Sequence, residues 1–212
     1  MNEFYTVKEN VEAEITEKKS RFIANVFYVK TKEEAEMCLE KVRKKYYDAK
    51  HNCYAYSIEL EEGTYQKCSD DGEPSGTAGE PILNIIKQIR LNNILIVVTR
   101  YFGGILLGTG GLCRAYSEAA TKVINEENII HMQKGLQIQI TLKYEDNGVF
   151  KNYCKKNNIK IINSIYETEI KYILELNEEE YNNLEQDIKA KKILKSTNKT
   201  NIIEICRKYI EK

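Results

Sequence analysis

The chain has 212 residues, 42% of them hydrophobic and 30% charged, and its 32 Lys+Arg are balanced by 32 Asp+Glu. That length suits one large domain or two small ones. A net charge of zero excludes a protein that coats nucleic acid by bulk electrostatics, though not one with a local basic groove.

The six cysteines (Cys38, Cys53, Cys68, Cys113, Cys154 and Cys206) form no CxxC pair. They read as free thiols of a cytosolic protein, not as a disulfide framework or a zinc site. The charged N-terminal stretch MNEFYTVKENVEAEITEKKS lacks the apolar core of a signal peptide. No apolar run reaches membrane-spanning length. The expectation is a soluble cytoplasmic protein without membrane contact.

Val11 to Ile15 and Arg21 to Val29 alternate as strands do, with Glu17 to Ser20 as the turn. Thr31 followed by Glu34 is a capping-box pattern, and Ala35, Cys38, Leu39, Val42 and Tyr46 form the apolar stripe of the helix it starts. Cys53 to Leu60 and Thr64 to Cys68 read as two strands around a turn. A helix from about Glu80 through Arg90 tolerates Pro81 in its first turn. Asn93 to Tyr101 is a near-continuous apolar strand of the kind buried on both faces. Another helix runs from about Gly110 to Glu126.

Asn125 to Lys134 changes character and marks a joint between one domain over 1–130 and a second over 135–212. Past the joint come a strand (Leu136 to Tyr144), a helix (Asp146 to Asn157) and two strands (Lys160 to Tyr166, Glu169 to Leu176). A helix (Glu178 to Lys191) and a strand (Asn201 to Arg207) complete the ferredoxin-like order βαββαβ. Asn177 is the expected N-cap of the last helix, with Glu178, Glu179 and Glu180 in the turn its dipole favours. There are no internal repeats and no low-complexity linker, and nothing in this half looks catalytic.

Eight of the eleven glycines and both prolines lie between Gly72 and Gly111. Clustered glycines serve turns, positive φ or close backbone approach. Two glycine-rich loops therefore mark the candidate functional surface. In the second, Gly103, Gly104, Gly108, Thr109, Gly110 and Gly111 lead into a helix whose first N–H groups are unpaired, an arrangement that receives anions. Arg100 and Arg114 would add charge there. The spacing is neither a Walker A motif nor a dinucleotide GxGxxG, and tight helix–strand packing without a ligand is the competing explanation.

The first loop offers Ser69, Asp70, Asp71, Glu73, Ser75 and Thr77, with Glu80 at the start of the next helix. Paired carboxylates can hold a hard metal or act as acid and base, but such residues more commonly cap loop and helix N–H groups. His51 and Cys53 point the same way along a strand and can be read as a nucleophile pair or as an ordinary surface His beside a half-buried Cys. Tyr54, Tyr56, Tyr101, Phe102 and Tyr116 interleave with Arg90, Arg100 and Arg114. That mixture suits single-stranded nucleic acid, a core edge or a protein interface alike.

The segments HNCYAY, SDDGEPSGTAGEPIL and VVTRYFGGILLGTGGLCRAY, spanning His51 to Tyr116, resemble the signature of the IMPACT family, with its bacterial YigZ and YvyE members and its eukaryotic IMPACT proteins. The βαββαβ half resembles the second domain of the bacterial members, so the resemblance covers essentially the whole chain. Asn52 departs from it, standing where many members carry a second histidine, which counts against a metal at His51. The resemblance implies an α+β, two-domain protein. Its N-terminal domain would be like the second domain of ribosomal protein S-five and domain IV of EF-G, and its C-terminal domain ferredoxin-like.

It also implies a non-catalytic regulator associated with translation, because eukaryotic IMPACT proteins modulate translation by binding a regulatory protein. Partners would be RNA, the ribosome or a regulatory protein, with no cofactor. The alternative is an enzyme that binds phosphate or nucleotide on the second loop and a metal at Asp70, Asp71 or Glu73. A third possibility, a protein-interaction module, would show an exposed apolar patch near Tyr101 and Phe102.

Overall fold

The computed structural model describes residues 3–60, 62–196 and 201–212. They divide into two units, Glu3–His131 and Met132–Lys212. The first unit contains β1 (Glu3–Val7), β2 (Val11–Glu17), β3 (Ser20–Tyr28), α1 (Lys32–Lys45), β4 (His51–Leu60), β5 (Gly63–Ser69), α2 (Gly79–Gln88), β6 (Ile94–Tyr101) and α3 (Gly108–Val123). Five of its strands form a sheet in the order β2-β3-β6-β4-β5, each neighbouring pair antiparallel.

The central strand β6 shows why its sequence is apolar throughout. Ile94, Ile96 and Val98 pack with Ile82 and Ile86 of α2 and Tyr116 and Ala120 of α3. The alternate residues Leu95 and Val97 pack with Ala35, Leu39 and Val42 of α1. Helices on both faces leave no polar side, so strand alternation disappears. Burying each such aliphatic side chain contributes roughly 1.5–3 kcal/mol. α1 begins as its sequence suggests: Glu34 N donates to Thr31 Oγ1 (3.1 Å), and Lys30 N donates to the Glu34 carboxylate (2.6 Å).

Two boundaries differ from the sequence reading. Strand β1 precedes the first expected strand. It is held beside the chain at residues 90–92, where Tyr5 N donates to Arg90 O (3.4 Å) and Asn92 N to Tyr5 O (2.8 Å). These partners are remote in sequence, so the short EFYTV alternation alone does not announce the strand. Helix α3 starts at Gly108 and ends at Val123, not Glu126, because Ile124 turns to extended backbone (φ −91°, ψ 100°).

The second unit has β7 (Ile129–Leu142), α4 (Asn147–Lys156), β8 (Lys160–Tyr166), β9 (Ile170–Asn177), α5 (Glu178–Lys189) and β10 (Asn201–Glu211). Strands β10, β7, β9 and β8 lie side by side in that order, all antiparallel. This is the ferredoxin-like arrangement, and the protein is of the α+β class. β7 begins at Ile129, well before the expected Leu136. On β7, Ile138, Ile140 and Leu142 are buried against Phe150 and Cys154 of α4 and Leu184 of α5. Asn177 forms the capping box: Glu180 N donates to Asn177 Oδ1 (2.9 Å) and Asn177 N to the Glu180 carboxylate (2.8 Å).

Candidate functional site

Both glycine-rich loops belong to the first unit. The first, between β5 and α2, is tied down by its own acids. Asp70 Oδ1 accepts from Ala78 N and Gly79 N (2.9 Å each), and Oδ2 accepts from Gly76 N (2.8 Å). The N-cap residue of α2 is Ala78, which has no capping side chain, so Asp70 supplies the cap from eight residues upstream. Burial works to raise the Asp70 pKa, but backbone bonds from Gly76, Gly79, Ala78 and Thr77 outweigh it and hold the carboxyl below its ordinary range.

Asp71 is spent on the end of β4. Its Oδ2 accepts from Asn52 N (2.7 Å), its carbonyl accepts from His51 Nδ1 (2.9 Å), and Arg43 Nη2 lies 3.6 Å from Oδ1. Its backbone sits at φ +42°, a left-handed conformation that Asp tolerates. Ser69 Oγ accepts from Asp71 N (3.2 Å) and Thr77 Oγ1 donates to Pro74 O (2.6 Å), so these hydroxyls also serve the turn.

Glu73 and Arg100 meet inside the protein. Arg100 Nη1 stands 2.6 Å from Glu73 Oε1, and the two side chains are 7% and 4% exposed. The same oxygen accepts from the Tyr116 hydroxyl (2.9 Å). The guanidinium lies 5.5 Å from the ring centres of both Phe22 and Phe102. Sheet register makes the meeting possible: Arg100 of β6 lies opposite His51 of β4, and His51 is bonded to the first loop. Arg100 was expected to lend charge to an anion on the second loop. It is instead buried and neutralised by Glu73, so that role falls away.

Cys53 is fully buried, its Sγ 2.9 Å from the Asp70 carbonyl oxygen and 3.3 Å from the Tyr116 hydroxyl. Burial pushes its thiol up to about 12, which leaves no thiolate near neutral pH. The His51–Cys53 pair is therefore not set up for nucleophilic chemistry. Among the described residues no group of three or more His, Cys, Asp or Glu is arranged to hold a metal ion.

The second loop is the opposite kind of structure. Gly103 presses on the β2–β3 turn, where an added Cβ would stand 2.0 Å from the Lys19 carbonyl carbon, and Gly103 N donates to Ser20 Oγ (3.2 Å). Beyond that anchor the chain carries Phe102, Ile105 and Leu106 into solvent, 57%, 42% and 83% exposed. Gly108 then turns at φ +71° into α3. The N-cap residue Leu107 offers no side-chain bond, and no acidic residue lies in the first turn. Thr109, Gly110 and Arg114 are exposed there, and Gly111 is half-buried against Leu107. The two loops approach each other where Cys113 Sγ lies 3.8 Å from Gly76 O.

The remaining aromatic candidates do not join this surface. Tyr54, Tyr56 and Tyr116 are buried. Tyr101 donates to Asp48 (2.6 Å). The residues that sequence reasoning underrated are Ile105 and Leu106. Their only signal is an aliphatic pair flanked by glycines, with no periodic partner to bury it.

Comparison with known proteins agrees with this layout. Residues 18–124 match the Impact N-terminal domain, and residues 140–190 match a domain of unknown function, DUF1949. The IMPACT family member YvyE of Bacillus subtilis (strain 168) is 37% identical over 182 residues, covering 86% of this chain and 83% of the relative. YigZ, an IMPACT family member of Escherichia coli (strain K12), is 35% identical over 151 residues, covering 71% and 74%. A crystal structure described as that of a hypothetical protein aligns with a TM-score of 0.63 at 27% identity, over 97% of this chain and 98% of that one. With the N-terminal domain matched and long relatives aligned across most of its length, this chain belongs to the IMPACT family.

Proposed function

We propose that this protein is a non-catalytic binding protein of translation that docks on the ribosome through its second glycine-rich loop. The association with translation is the role implied by the IMPACT resemblance. The observation that carries the docking surface is the exposure of Phe102, Ile105 and Leu106 beside the uncapped, acid-free start of α3, with Arg114 exposed in its opening turns. A ribosome presents both apolar protein surface and phosphate. The apolar tip meets the first, and the amides of Thr109, Gly110 and Gly111 with Arg114 meet the second.

The non-catalytic part rests on the first loop. Each of its acids is occupied: Asp70 with backbone amides, Asp71 with Asn52 and Arg43, Glu73 with Arg100 and Tyr116. A nucleotide-binding enzyme drawing on those carboxylates would have to dismantle the turn that holds α2.

Cosedimentation with purified ribosomes across a salt series tests the proposal. Wild type is expected to bind, and Leu106→Asp and Arg114→Ala to bind at least tenfold more weakly with unchanged circular dichroism. Only the Arg114 contribution should fade as salt rises. Two folded variants that cosediment like wild type would overturn the assignment.

A further inference from the structure

A cavity of about 580 Å³ opens in the first unit among β1, β4, β5 and the end of α2. Its residues are not those of the proposed ribosome-facing loop. The volume falls within the roughly 300–1,000 Å³ common to small-molecule sites. One wall is a flat ring stack, Tyr5 on His131, with centroids 4.7 Å apart and planes 22° from parallel. Tyr5 is 40% exposed, so the stack leaves aromatic surface open. Glu3 lies 3.1 Å from His131 Nε2 and orients that ring.

The opposite side carries Lys87 and Arg90. Both line the cavity and are exposed, and neither makes an ion pair with any described residue. The floor holds two buried polar side chains, Ser57 and Asn92, whose Oγ–Oδ1 bond of 3.0 Å sets their orientation.

The position of Arg90 is itself informative. Leu91 N donates to Ile86 O (2.9 Å) and Arg90 N to Lys87 O (3.1 Å), which is a Schellman ending. Arg90 occupies its left-handed position at φ +56°, where glycine is the usual residue. The chain thus keeps a long cationic side chain at a place where the backbone would be more relaxed without one.

We propose that this cavity binds a small aryl anion. Its planar ring lies against Tyr5 and His131, and its phosphate or carboxylate is held by Lys87 and Arg90. The two cations stand on one helix end and supply separate donors, Arg90 as a planar fork and Lys87 as a point charge. Ser57 and Asn92 present polar atoms toward whatever substituent reaches the floor.

Isothermal titration calorimetry on the full chain tests this with four probes: adenosine monophosphate (ring and phosphate), indole-3-acetate (ring and carboxylate), adenosine alone and inorganic phosphate alone. At least one aryl anion is expected to bind at submillimolar concentration, tenfold or more tighter than adenosine or phosphate alone. The better of the two identifies the anionic group. Lys87→Ala/Arg90→Gly should raise the dissociation constant at least tenfold. Arg90→Gly alone should keep or raise the melting temperature because it relaxes the left-handed backbone, so lost affinity cannot be ascribed to misfolding. Arg114→Ala should bind like wild type. Failure of both aryl anions to bind at millimolar concentration, or undiminished binding by the double variant, would overturn the proposal.

Discussion

Arg100 and Glu73 form a buried ion pair, 2.6 Å between Nη1 and Oε1, that joins the end of the central strand to the first glycine-rich loop. Removing one partner strands the other charge away from water, and for such pairs that costs about 3–5 kcal/mol. Arg100→Ala should destabilise by about that amount in urea titrations, and Glu73→Gln should cost about 1–3 kcal/mol because the amide still accepts from Tyr116. The double replacement Arg100→Met/Glu73→Leu should cost less than the sum of the single changes. Single variants within about 0.5 kcal/mol of wild type would show that the pair is not closed in solution.

Acid should loosen the start of α2 through Asp70. The folded-state pKa of this carboxyl is depressed below its unfolded value of about 3.9. Its contribution is therefore fully present above pH ~4 and is lost as pH falls through the folded value. Asp70→Asn should be less stable than wild type at neutral pH by about 1–2 kcal/mol, the usual scale of a lost cap. The difference between the two proteins should shrink on acidification below pH ~4. Parallel stability curves down to pH 2 would contradict this.

Two glycines of the second loop should respond to alanine for different reasons. At Gly108 there is open space but φ is +71°, so Gly108→Ala should cost about 1–2 kcal/mol in backbone strain alone. At Gly103 the new methyl group meets the Lys19 carbonyl carbon at 2.0 Å, and the turn must move. Gly103→Ala should cost about 1–3 kcal/mol or more and shift the backbone resonances of Lys19 and Ser20. Gly108→Ala should leave those resonances in place.

Thiol chemistry should follow burial. Cys53 and Cys154 are buried, and burial pushes both thiols up to about 12. Alkylation needs the thiolate. Iodoacetamide at pH 8 should modify the exposed Cys206 in the folded protein and spare Cys53 and Cys154 until denaturant is added. Peptide mass spectrometry distinguishes these cases, and rapid native alkylation of Cys53 would reopen the question of a nucleophile beside His51.

What was legible in the sequence was local. The Thr31 and Asn177 caps each depend on residues three apart, and both were readable in advance. The apolar run of β6 announced a strand covered on both faces. The role of Arg100 was not legible, because its partner Glu73 lies 27 residues away and is brought near only by the β4–β6 register. Before a glycine-rich loop, an arginine bound for an anion and one bound for a buried glutamate look the same. Strand β1 and the cavity behind it were missed for a related reason: Tyr5 is held by backbone near Leu91 and stacked on His131, both distant along the chain.

The grip of Asp70 on three backbone amides has a consequence for how the molecule breathes. The two loops share a composition rich in glycine, yet they should differ sharply in amide hydrogen exchange. Protons on Gly76, Ala78 and Gly79 are held by one carboxylate and should wait for a cooperative opening that frees α2. Amides at the apolar tip and in the first turn of α3 lack such acceptors and should exchange at close to the rate of an unstructured peptide. Glycine content alone would assign both loops the same softness, and one aspartate separates a clamp from a probe.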